Sequence, residues 1–223
     1  MVVPDICACI TSAADAEAAH AVRALVALYE VRIDLIGPEW PCVAAALTRP
    51  WIACNRTRTE GGASEQPEKE RLEVLKHAAR LGAAIVDVEL SAAAAAEFVA
   101  DMKRRVRMLV SHHDFRRTAA EADLAAIVNA ERRIGADICK VVTTAERTAD
   151  NLVVLRLLKT FPGQPLVAFA MGPLGTTSRV LAPLTGAAFT YASLASGHES
   201  APGQLTVTEL HAIYEMLEER TCA

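Results

Sequence analysis

Short apolar runs alternate along this chain with longer stretches whose apolar residues recur every three or four positions. The short runs fall near residues 6–10, 30–35, 51–55, 84–89, 107–111, 137–142, 165–170 and 187–191. Most are apolar on both faces, the pattern of strands buried in a parallel sheet. Helical periodicity covers residues near 13–28, 40–48, 66–81, 92–105, 119–133, 145–160, 176–183 and 206–219. Ser12 and Ser91 precede alanine-rich runs and are expected to cap the helices that follow. No linker rich in Gly, Ser and Pro divides the sequence. Eight strand–helix units in 223 residues predict an α/β fold, a (β/α)8 TIM barrel, with residues 1–223 as a single domain. The alternative, an open doubly wound sheet, wants a phosphate-binding glycine turn after its first strand. Thr11-Ser12-Ala13 offers none.

Composition narrows the partners. Hydrophobic residues make up 52%, enough for a large core, and the formal net charge of -4 argues against binding of nucleic acid or other polyanions by the chain as a whole. No apolar run is long enough to span a bilayer, so no membrane partner is expected. Met1-Val2-Val3-Pro4-Asp5 lacks the basic segment and apolar core of a signal peptide, and a cytoplasmic protein is expected. The six cysteines, Cys7, Cys9, Cys42, Cys54, Cys139 and Cys222, show no paired zinc spacing. They read as small packing residues, and no metal site is expected.

In a barrel of this kind, chemistry gathers at the C-terminal ends of the strands. Glu30, Arg32 and Asp34 alternate with Val31, Ile33 and Leu35, which puts three charges on one face of the second strand. Pointing inward they must pair to be tolerated, and a structural ion-pair cluster accounts equally well for Asp34. Asp87 and Glu89 share a face of the fourth strand by the same parity. After the third strand, Arg56, Arg58, Glu60, Gly61 and Gly62 make a charged loop. Arginine there suits bidentate binding of carboxylate or phosphate, while an ordinary solvated loop fits the same residues. The fifth strand ends in Ser111-His112-His113-Asp114-Phe115. Histidine is the usual general base near neutral pH, but strand neighbours point to opposite sides, so these two make a poor chelating pair. Met171-Gly172-Pro173-Leu174-Gly175 turns into a helix start suited to an anion, and Arg179 just beyond reads either as an anion clamp or as a surface helix residue. Residues 195–204 are small and polar, as a lid would be, and Gln204 offers both a donor and an acceptor.

Lys140 stands out. It sits within the apolar run Ile138-Cys139-Lys140-Val141-Val142. Desolvation there favours the neutral amine, which can attack a carbonyl and form an imine. A lysine that merely snorkels from a strand end is the alternative for this residue taken alone.

Six segments together resemble the type I 3-dehydroquinate dehydratases: Glu30-Val-Arg32-Ile-Asp34, Arg56-x-x-x-Glu60-Gly61-Gly62, Ser111-His112-His113-Asp114-Phe115, Ala136-Asp137-Ile-Cys-Lys140, Met171-Gly172-x-x-Gly175-x-x-Ser178-Arg179 and Ser200-Ala201-Pro202-Gly203-Gln204. The resemblance runs over nearly the whole chain. It implies dehydration of 3-dehydroquinate to 3-dehydroshikimate in the shikimate pathway, without metal or other cofactor, in a homodimer. It assigns the imine to Lys140, the acid–base role to His113 and assistance in proton handling to Glu60. Arg179 would hold the substrate carboxylate, and Glu30, Arg56, Ser200 and Gln204 would hold hydroxyls and close the lid, with Arg32 and Met171 completing the substrate site. The chain departs from the family pattern at Phe169, where methionine is common, at Pro173-Leu174, and in a short segment before Cys7. A class I aldolase would share the lysine and the barrel but would more often present a phosphate grip after the last two strands. A non-catalytic barrel binding a small acid would be expected to have lost Lys140 or His113.

Overall fold

The computed structural model describes residues 3–221. Its strands are β1 (Ile6–Ile10), β2 (Leu28–Arg32), β3 (Trp51–Cys54), β4 (Ile85–Glu89), β5 (Arg107–His113), β6 (Ile138–Thr144), β7 (Leu166–Met171) and β8 (Thr190–Ser193). They pair in parallel in the order β7-β6-β5-β4-β3-β2-β1-β8. At the seam between the two end strands, Ala188 N–H donates to Leu166 O at 2.9 Å. The rings of Phe169 and Tyr191 meet there at 6.1 Å. The helices are α1 (Asp15–Ala21), α2 (Ile33–Ile36), α3 (Trp40–Ala45), α4 (Glu68–Arg80), α5 (Ala95–Met102), α6 (Glu121–Arg133), α7 (Asp150–Thr160), α8 (Thr176–Thr185) and α9 (Val207–Thr221). This is the predicted (β/α)8 barrel. Among the described residues no helix is long and apolar enough to cross a membrane.

Strand parity builds the site. Leu28, Ile52, Ile85, Leu109, Ile138 and Val167 point into the barrel and form an apolar plug. Each such buried side chain contributes about 1.5–3 kcal/mol. Two residues further along the same strands come Glu30, Cys54, Asp87, Ser111, Lys140 and Phe169, which therefore also point inward, one layer nearer the C-terminal mouth. Residues of opposite parity, such as Val31, Val86 and Val110, pack outward beneath the helices.

Three expectations need correction. The second strand ends at Arg32, and Asp34 lies in the helical turn α2, so strand parity does not govern it. Asp34 instead grips Arg32 Nε and Nη2 at 3.0 and 2.7 Å and accepts the Ala63 N–H at 3.0 Å. Ser12 does not cap α1: the Asp15 carboxylate turns back to accept the N–H groups of Thr11 and Ser12 at 2.7 and 2.9 Å. A charged acceptor outcompetes a hydroxyl there. Nor does Ser91 cap α5, which starts only at Ala95. Glu68 reaches across from α4 and accepts the N–H groups of Ala93 and Ala94, both at 3.0 Å.

Candidate active site

β6 delivers Lys140 to the barrel interior. Its Nζ donates to Glu30 Oε1 at 3.3 Å and Asp87 Oδ2 at 3.2 Å, and lies 4.3 Å from the centre of the Tyr191 ring. Burial is the largest influence and pushes the amine pKa down, but Glu30 and Asp87 push it up and prevail, leaving it above the ordinary lysine value. The neutral amine expected from desolvation alone is therefore not the resting state; Lys140 rests as an ammonium. Ligand atoms of Glu30, Cys54 and Asp87 all lie within 4.8 Å of one another, close enough for a metal ion. Lys140 already brings a cation between the two carboxylates.

Arg56 completes this floor. It donates to Ser111 Oγ and Asp87 Oδ2, both at 2.6 Å, and pairs with Glu89 at 3.2 Å. Burial pushes the Asp87 pKa up, yet Arg56, Lys140 and Ser111 together draw it down to about 2. Arg56 lines the cavity with much of its donor capacity already committed to these neighbours.

His113 and Glu60 stand together on the cavity wall. Glu60 ends the 3₁₀ turn Arg58–Glu60, which is closed by Gly61 at φ +77°. Its Oε2 accepts the His113 backbone N–H at 3.1 Å and lies 2.9 Å from His113 Nδ1, while Oε1 accepts Ser91 Oγ at 2.5 Å. An acceptor on every side, Glu60 fixes the proton of a neutral imidazole on Nδ1 and leaves Nε2 as a free base. Burial, then the cations Arg56 and Lys140, hold the His113 pKa well below the ordinary value. Phe115 stacks against its ring at 6.4 Å. His113 lines the cavity, whereas His112 is not among its lining residues, in line with their strand parity.

Arg179 is the unusual cation. It is 1% exposed, and its guanidinium lies 4.3 Å over the Phe169 ring. Among the described residues its guanidinium makes one hydrogen bond, to Pro202 O at 3.4 Å, and its buried Nε makes none. Among the described residues no carboxylate pairs with it. Burial lowers its pKa to about 10. A buried cation without a counter-ion at a cavity wall asks for an anion. The loop after β8 covers the mouth: Gln204 Oε1 accepts Ser200 N–H and Oγ at 2.8 and 3.2 Å, and Gln204 Nε2 donates to Cys9 Sγ at 3.3 Å. The space left beneath is about 50 Å³, room for a few water molecules.

Thus Glu30, Arg32, Arg56, Glu60, His113, Lys140, Met171, Arg179, Ser200 and Gln204, all anticipated from sequence, line one cavity. Tyr191 and Phe115 also line it and were not anticipated there, nor was Ser91, which stands behind Glu60 outside the lining. Inward parity on β8 is a signal for Tyr191, but the predicted strand ended at that residue. Phe169, the departure from the family pattern, faces the cavity between Arg179 and Tyr191.

Fold and site define a (β/α)8-barrel enzyme with a buried lysine, a histidine and an arginine on one cavity at the strand ends. The chain belongs to the type I 3-dehydroquinase family, whose sequence profile matches residues 6–221. It is 41% identical over 211 residues to a 3-dehydroquinate dehydratase of Dehalococcoides mccartyi, covering 95% of both chains. It is 40% identical over 198 residues to one from Thermococcus gammatolerans, covering 86% of this chain and 89% of the relative. The crystal structure of 3-dehydroquinate dehydratase from Geobacillus kaustophilus superposes with a TM-score of 0.85 at 26% identity, over 97% of this chain and 91% of the other.

Proposed function

We propose that this barrel removes water from 3-dehydroquinate to give 3-dehydroshikimate, a step of the shikimate pathway, through an imine at Lys140. One observation carries the reading. A buried lysine held between two carboxylates shares its cavity with a neutral histidine and an arginine that no carboxylate pairs with among the described residues. The substrate carboxylate supplies the anion that Arg179 lacks.

Condensation begins with proton loss from the Lys140 ammonium. Glu30 Oε1, at 3.3 Å on the cavity lining, is the acceptor for that proton in this reading. The amine then adds to the C3 ketone, and the carbinolamine takes that proton back as its hydroxyl departs as water. The protonated imine draws electrons from C3 and acidifies C2. His113 Nε2 removes the C2 proton, with Glu60 steadying the imidazolium that forms. His113 returns the proton to the C1 hydroxyl, which leaves as water. Hydrolysis of the imine frees product and Lys140. Glu30, Arg32, Arg56, Ser200 and Gln204 would hold the ring hydroxyls, with Met171 as an apolar wall. The loop bearing Ser200 and Gln204 would act as the lid over the bound ring.

Borohydride added with 3-dehydroquinate should fix ligand mass on the peptide containing Lys140, while untreated protein produces the ultraviolet absorbance of an enone. Labelling at another lysine would sink the imine assignment. Absence of the enone product would sink the reaction. A cytoplasmic setting and a homodimer accompany this proposal, and are checked by cell fractionation and sedimentation.

A further inference from the structure

Ser91 is left without a structural task. The capping it stood ready to do is done by Glu68, whose two carboxylate oxygens accept the N–H groups of Ala93 and Ala94. Its hydroxyl turns instead toward the cavity wall and donates to Glu60 Oε1 at 2.5 Å, the one hydrogen bond that oxygen makes to another side chain. Glu60 needs such an anchor. It sits in a loop rather than a strand, at the end of a short 3₁₀ turn. Its other oxygen is engaged with the backbone and the ring of His113.

We infer that Ser91 is a positioning residue for the dehydration, the outer member of a relay Ser91–Glu60–His113 that keeps Glu60 an ionised acceptor and so keeps the free lone pair of His113 on Nε2. The inference rests on His113 being the base. If Glu60 takes up a proton on Oε2, that oxygen donates to Nδ1 instead of accepting from it, and the imidazole proton moves to Nε2. The groups around Glu60 compete, and their net effect, led by burial, raises its pKa above the ordinary glutamate value. Burial and the carboxylates Glu89 and Asp87 of β4 favour its protonation; Arg56 and the Ser91 hydroxyl oppose it. His113 faces it from β5, as the neutral donor. Losing Ser91 raises it further, because Arg56 is already shared with Asp87 and Glu89.

The test is the pH profile of kcat for Ser91→Ala and Ser91→Thr, with melting temperature as a check on folding. Loss of a hydrogen bond to a charged group predicts kcat lower by about tenfold in Ser91→Ala, KM within roughly twofold, and an acid limb displaced upward by about one pH unit. Ser91→Thr keeps the hydroxyl and should restore the profile. Borohydride trapping at Lys140 should remain complete in Ser91→Ala, since imine formation does not pass through Glu60. A Ser91→Ala enzyme with unchanged kcat and an unshifted acid limb overturns the relay, as does a change confined to KM. Failure of the underlying reading looks different: His113→Ala would then keep its turnover, whatever Ser91→Ala does.

Discussion

Glu131 tests the structure away from the site. It lies on α6 behind β6, is 0% exposed, and neither carboxyl oxygen has a hydrogen-bond partner of good geometry, although Cys139 and the Lys140 backbone N–H are adjacent. Burial, the dominant influence, raises its pKa well above the ordinary glutamate value of 4.5. The folded protein therefore keeps this proton at pH values where the unfolded chain has released it. Below pH 4.5 both states hold the proton and the group is neutral to stability in this respect. Above that value the unfolded state gains by ionising, and stability falls as pH rises, by a factor of about ten in the folding equilibrium per pH unit until the folded pKa is reached.

Glu131→Met removes both the titration and a buried polar group lacking partners, at similar volume. The second effect alone is worth about 1–3 kcal/mol. For a chain of this length that corresponds to roughly 2–12 °C in melting temperature. The linkage term adds to it as pH rises, so the advantage of the variant should widen between pH 5 and pH 7. Urea unfolding of both proteins across that range measures the difference directly. Glu131→Gln, which stays polar but cannot titrate, should share the flatter pH dependence without the full gain. Parallel stability curves for wild type and Glu131→Met would refute the reasoning, because they would mean that Glu131 ionises alike in both states.

Three further outcomes bear on the site. His113→Ala should lose roughly 10²–10⁴ in kcat, the worth of a general base, while His112→Ala keeps most activity; the reverse would place the base one residue away. Arg179→Lys keeps the charge but loses the planar fork over Phe169, and substrate binding should weaken by about 1–3 kcal/mol, read from KM and from the affinity of a carboxylate-bearing inhibitor; unchanged constants would reject the carboxylate role. Gly61→Ala puts a methyl group into the Phe115 ring at a residue with φ +77°, so Phe115 must leave its stack on His113 and kcat should drop with little change in borohydride trapping; full turnover would show that the stack is dispensable.

Most of the barrel was legible because one rule, apolar runs alternating with helical periods, sets both elements and order. The same parity that marks Asp87 and Lys140 as inward brings them into contact on either side of β5. What failed was decided by partners distant in sequence or by local competition between polar groups. Ser91 looked like a cap until Glu68 took that task, and Asp34 looked like a strand residue until α2 began one position before it. The protonation of Lys140 is the most instructive case. A window around residue 140 shows only apolar neighbours, and desolvation then predicts a neutral amine. The opposing carboxylates lie 110 and 53 residues away in sequence, and they reverse the sign. That reversal fits the chemistry better than the expectation did. A site tuned to a neutral amine favours the attacking group alone. Two carboxylates around Nζ favour a cation, and in the proposed mechanism the protonated imine is the cation that must persist while the C2 proton is removed. Under that proposal their field would stabilise the intermediate on which elimination depends, with one deprotonation of the ammonium needed to reach it.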